Sequence, residues 1–172
     1  MILDIVKYPD PVLRQNCKVV GEITDEIKLL AAYMIETMDK NGGVGLAANQ
    51  VGIPIRLIVY KNQENDSNLI LVNPVLIKEE GFYPYKEDGV EGCLSLPGIE
   101  AKIIRNARVR VKGAKLDGGT EEFIAQNSLA RVIQHEIDHL NGILIIDRMS
   151  AVDKFRSKSK LHNLIKNLDS SK

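Results

Sequence analysis

Five residues, His135-Glu136-Ile137-Asp138-His139, carry the densest chemistry in this chain. Two histidines four positions apart share one side of a helix, because 3.6 residues make a turn. Both imidazoles can then reach one metal ion, with Glu136 near the ion's open face. The chain has three histidines and two of them fall in this pattern, which favours a metal site over a helix that carries them incidentally.

A third ligand has to come from elsewhere. Cys93, in Glu91-Gly92-Cys93-Leu94-Ser95-Leu96-Pro97, admits three readings from its surroundings alone. It can be a small buried residue, a nucleophile activated by a histidine, or a thiolate that completes a Cys/His/His site with a fourth position open to water. A bound ion would itself hold the thiol deprotonated. Cys17, between Asn16 and Lys18, has no nearby Cys or His and reads as an incidental thiol. Gln50 closes the small-residue stretch Gly43-Val44-Gly45-Leu46-Ala47-Ala48-Asn49-Gln50. Such a backbone suits close passage of a ligand or another chain, and equally suits a tight loop before a strand. The Gln50 amide can donate to a substrate oxygen without titrating.

These groups need elements to hold them. The helix bearing His135 is expected to start near Asn127 or Ser128 and to stop at Asn141-Gly142. On it Leu129, Val132, Ile133, Ile137 and Leu140 share an apolar side, with His135 and His139 at its edge. Arg131, Gln134 and Asp138 fall on the polar side, where Asp138 can orient a ligand histidine or pair with an arginine. An earlier amphipathic helix is predicted from Asp25 to about Lys40, with Thr24 as its cap and Ile27, Leu30, Ala31, Met34 and Met38 inward. Residues 1–23, with Tyr8-Pro9-Asp10-Pro11, read as extended and turn backbone.

The middle reads as strands. They are Ile55–Tyr60, Leu69–Val72, Val75–Ile77 after a break at Asn73-Pro74, Lys102–Arg105, Arg108–Lys112 and Glu121–Ala125. Asp117-Gly118-Gly119 turns between the last two, and a loop runs from 78 through Tyr85. Residues 150–172 read as a C-terminal helix with Leu161, Leu164, Ile165 and Leu168 on one side and a basic surface from Lys154, Arg156, Lys158, Lys160 and Lys166. His162 reads as a surface residue.

Lys+Arg and Asp+Glu balance at 23 each, so bulk charge predicts no DNA or membrane partner. No apolar run approaches the ~20 residues of a membrane span, and Met1-Ile2-Leu3-Asp4 lacks a signal-peptide pattern. Two cysteines far apart do not form a disulfide framework, so a cytoplasmic protein is expected. Neither repeat nor linker divides the 172 residues, which are expected to form one domain.

Three stretches, Gly43–Gln50, Glu91–Ser95 and His135–Gly142, together resemble the motifs of peptide deformylases, and in the family's order. That family removes the N-formyl group from newly made bacterial proteins, a step of protein biosynthesis and N-terminal methionine processing. The likeness spans essentially the whole chain. It implies an α+β fold, with antiparallel or mixed sheets around a central metal-binding helix flanked by an N-terminal and a C-terminal helix. It implies Cys93, His135 and His139 as metal ligands, and typically Fe²⁺ as the ion, replaceable by Zn²⁺, Ni²⁺ or Co²⁺. Glu136 would be the general base, and Gln50 and the Leu94 N–H would hold the formyl oxygen. Val44, Gly45 and Gly92 would pair with an N-formylmethionyl peptide, while Val44 and Val132 line the methionine pocket. A monomer is expected, with the C-terminal helix as a possible ribosome contact.

Glu100 stands near a place where some deformylases carry an arginine at the substrate entrance, and Arg105 matches a basic position further on. Arg131 can contact the peptide or a buried carboxylate such as Glu91. Two other classes compete with the deformylase. An endopeptidase of the H-E-x-x-H type would draw its third ligand from downstream, where His162 is the strong candidate. A non-catalytic metal module would use Cys17 as a fourth ligand.

Overall fold

Strand β2 (Leu57–Asn62) is buried on both faces, and that places the rest of the chain. Its alternate residues point to opposite sides of the sheet. Ile58 and Tyr60 join one apolar cluster with Leu71, Val111, Ile133 and Ile137. Leu57 and Val59 join another with Ala31, Met34 and Met38. A helix therefore covers each face: α1 (Asp25–Lys40) on one, α2 (Asn127–Leu140) on the other. The computed structural model describes residues 1–62, 65–78 and 85–169.

The sheet is antiparallel, with β1 (Gly45–Ala47) at one edge and the order β1-β2-β3-β6-β7, from β3 (Ser67–Ile77), β6 (Arg108–Ala114) and β7 (Thr120–Gln126). A separate antiparallel hairpin joins β4 (Lys86–Gly92) to β5 (Glu100–Asn106). Contrary to the expected break at Asn73-Pro74, β3 continues through it as an irregularity. The register against β6 shifts between Val72 and Val75, and Asn73 takes φ +52. Proline has no N–H for the ladder, so a bulge is where it is tolerated. Most of the expected loop before Tyr85 lies in 79–84, outside the described residues.

Helix α2 lies between the large sheet and the hairpin, packing on β1, β2 and β7 on one side and β5 on the other. The supposed polar side of α2 is therefore not solvated. Gln134 and Asp138 are buried and Arg131 is half-buried, because the hairpin and α3 (Ile145–Arg148) cover them. Gln126, rather than Asn127 or Ser128, occupies the N-cap, without a side-chain cap bond; Asn127 takes φ +50 and donates its N–H to Ala107 O at 2.7 Å. A third cluster, Leu13, Leu96, Ile99, Ile103, Leu144 and Met149, fills the space beneath the hairpin. Helix α4 (Ala151–Asp169) rests on it through Leu161 and Leu164, whereas Ile165, expected inward, is exposed.

Candidate active site

Helix α2 presents His135 and His139 one turn apart, with ring centroids 5.0 Å from each other. Cys93 follows β4 in a turn closed by Leu96 N–H donating to Cys93 O at 2.9 Å. That turn brings Cys93 Sγ to 3.2 Å from His139 Nε2. Ligand atoms of Cys93, His135 and His139 all lie within 4.8 Å of one another. Donors around a small tetrahedral ion sit about 3.3–3.7 Å apart, given its bond lengths, so the three fit one divalent cation. Among the described residues no other cluster of three or more His, Cys, Asp or Glu has this metal-holding form. Cys17 is buried among Tyr60, Ile137 and Leu140, with burial pushing its thiol up to about 11, and His162 is exposed on α4.

Glu91 sits behind the ligands. It lies 3.0 Å from His135 Nδ1 and accepts Arg105 Nε and Nη2 and Arg131 Nη1, each at 2.9 Å. Arg105 also reaches Asp138, which Arg148 grips through both carboxylate oxygens. Burial would raise the Glu91 carboxyl, but hydrogen bonds from Arg105 and His135 overcome it and hold it near 2. Arg105 is thus enclosed in an ion network instead of standing at a substrate entrance, while Glu100 lines the cavity. Arg131 meets the carboxylate as well as the carbonyls of Glu87 and Ile103. Glycine at 89 leaves room for this side chain, since a Cβ would come 2.7 Å from the Arg131 guanidinium carbon and displace it.

Glu136 is 3 % exposed, its Oε2 has no partner, and burial lifts its carboxyl to about 7. Burial also pushes His139 well below its usual value. For His135 burial acts downward too, but hydrogen bonds to Cys93 and Glu91 win and raise it to about 10. A divalent cation would take the place of that proton, as metal binding at such donors does.

Cys93, His135 and Glu136 line a cavity of about 610 Å³, with Val44, Gly45, Gln50, Gly92, Leu94 and Val132 on its wall. Gly45 lets β1 pass against α2. A Cβ there would press into the Glu136 carboxylate and sit 2.9 Å from Val132 Cγ1. Gln50 belongs to the 3₁₀ turn Ala48–Val51, and its Oε1 accepts Ala47 N–H at 2.9 Å. That bond turns its NH₂ toward Ser95 Oγ, 3.2 Å away, and Cys93 Sγ, 3.5 Å away.

A sequence model of polypeptide deformylase matches residues 2–155. The chain belongs to the polypeptide deformylase family. A peptide deformylase of Hydrogenovibrio crunogenus is 48% identical over 159 residues, 92% of either chain. The solved peptide deformylase of Plasmodium falciparum superposes with a TM-score of 0.89 at 37% identity, covering 97% of this chain and 98% of its own. That of Thermotoga maritima gives 0.81 at 41%, covering 87% and 99%. As a deformylase the protein is a hydrolase that removes the N-terminal formyl group from formylmethionyl peptides, and its Cys/His/His cluster fits a metal-dependent reaction.

Two residues of the site carry no signal in the sequence pattern. Lys7 donates its Nζ to Leu94 O at 2.6 Å and lines the cavity, and Arg148 completes the Asp138 pair.

Proposed function

We propose that Cys93, His135 and His139 hold one divalent ion, natively Fe²⁺, and that Glu136 is the general base of formyl hydrolysis. One observation carries the assignment: Glu136, whose buried Oε2 has no partner, lines one cavity with Cys93, His135, Gln50 and Leu94, and His139 completes the donor cluster. Cys-His-His accepts several ions, so Zn²⁺, Ni²⁺ or Co²⁺ would substitute. When bound, the ion supplies positive charge that acidifies water and polarises a carbonyl.

The chain's own groups do the rest. Glu136, poised by burial, takes a proton from the attacking water and passes it to the departing amine. The Gln50 NH₂ and the Leu94 N–H receive the charge that grows on the formyl oxygen. Backbone groups at Val44, Gly45 and Gly92 pair with the extended peptide as an added strand, and Val44 and Val132 enclose the methionine side chain. A formyl carbon bears only hydrogen, so a tight wall excludes acetyl groups.

The same reading makes residues 1–172 a single catalytic domain of a cytoplasmic monomer. No helix among the described residues is long and apolar enough to cross a membrane. Lys154, Arg156 and Lys158 on α4, with Phe155 79% exposed, support a ribosome contact. The test is formate release from a formyl-Met tripeptide, assayed anaerobically with Fe²⁺ or Ni²⁺ and without cleavage of internal peptide bonds. Glu136→Ala should abolish release, and an unimpaired variant would refute the mechanism.

A further inference from the structure

The turn carrying Cys93 has two corner residues, Leu94 and Ser95. The carbonyls of turn corners face outward and take no part in the closing hydrogen bond, so the peptide between the corners is free to rotate unless something holds it. Lys7 holds that peptide, and Val6 and Tyr8 beside it tie the Gln50 arm and the next peptide of the turn. Val6 N–H donates to Gln50 O at 2.8 Å, Lys7 Nζ to Leu94 O at 2.6 Å, and Tyr8 N–H to Ser95 O at 2.9 Å. The Gln50 arm and the Cys93 turn, which supply the two donors assigned to the formyl oxygen, are therefore tied to one strip of backbone. Of the three ties, only that of Lys7 comes from a side chain. Lys7 lines the same cavity as Cys93.

We propose that Lys7 is a positioning residue for deformylation. Its ammonium fixes the Leu94–Ser95 peptide, the corner of the turn from which the Leu94 N–H projects, and adds a positive charge to the wall of the cavity in which the formyl oxygen becomes anionic. This rests on the deformylase reading of the same cavity. Because the charge on that oxygen is fully developed only in the transition state, the contribution falls on turnover and not on substrate affinity.

Lys7→Met keeps the apolar stem and removes the charge, and Lys7→Arg restores a cationic donor. Both are assayed as Ni²⁺ holoenzymes on a formyl-Met tripeptide, beside thermal unfolding and metal content. Losing an oxyanion donor outright costs about 10²–10³ in rate, so losing the group that steadies its turn and the charge beside it should cost roughly tenfold in kcat. KM should stay within about twofold, Lys7→Arg should recover most of the rate, and melting temperature and bound metal should match the parent. Four results would overturn the proposal: an undiminished kcat in Lys7→Met, a change confined to KM, Lys7→Arg no better than Lys7→Met, or a loss that tracks metal content or melting temperature. The parent enzyme separates this from the functional reading, since a parent that releases no formate refutes the deformylase assignment itself.

Discussion

Glu91 Oε2 lies 3.0 Å from Nδ1 of His135, while the same carboxylate is gripped by Arg105 and Arg131. A histidine whose Nδ1 is engaged in this way offers its Nε2 to an ion. The arginines hold the carboxylate still, so the ring orientation is set before metal arrives.

Glu91→Gln should therefore weaken metal retention by roughly 10–100-fold, the usual cost of losing a partner behind a ligand. Competition with a chromogenic chelator measures this directly. Retention equal to the parent would show that the ring is oriented by packing alone.

The same residue makes stability depend on acid. Its folded pKa of about 2 lies below the ordinary 4.5, so its stabilising effect is complete above about pH 4.5 and is lost as pH falls toward 2. The shift corresponds to about 3 kcal/mol. Urea unfolding of parent and Glu91→Gln should show a gap that narrows as pH falls from 6 toward 3. A constant gap would contradict the depressed value.

Asp138 pairs with the enclosed Arg105 and with Arg148, whose side chain is 40% exposed. Removing one partner of a buried pair strands a charge and costs about 3–5 kcal/mol. The partly exposed partner is screened and should cost about 1 kcal/mol or less. Arg105→Met should thus destabilise far more than Arg148→Ala in chemical denaturation, and equal losses would mean that the network shares its charge evenly.

Helix α2 was legible because a 3.6-residue apolar period and the His135–His139 spacing agree with one another. Cys93 and Gln50 were placed at the site by motif resemblance, since no local rule says which loop meets a helix more than 40 residues away. Strand β4 went unread because Lys86, Glu87, Asp88 and Gly89 are poor strand formers. Pairing with β5 and the Arg131 bonds to the Glu87 and Gly89 carbonyls hold it extended. Lys7 was invisible for a similar reason: Leu94 O is 87 positions from Lys7, and a contact with a backbone carbonyl leaves no residue pattern.

Gly45 gives the last prediction. It sits where β1 crosses α2, and a methyl group there would meet both the Glu136 carboxylate and Val132. The backbone of β1 is hydrogen-bonded to β2, so the strand resists moving and the carboxylate has to yield. A displaced base loses its line to the attacking water, and small displacements of catalytic groups can cost about 10²-fold. Gly45→Ala should therefore lose roughly 100-fold in kcat/KM while keeping its metal, because the three atoms nearest the added carbon belong to Glu136 and Val132 and not to a ligand residue. Formate-release kinetics beside metal analysis checks both halves. An active Gly45→Ala enzyme would mean that β1 moves aside, and loss of metal together with activity would mean that the strain reaches the ligands.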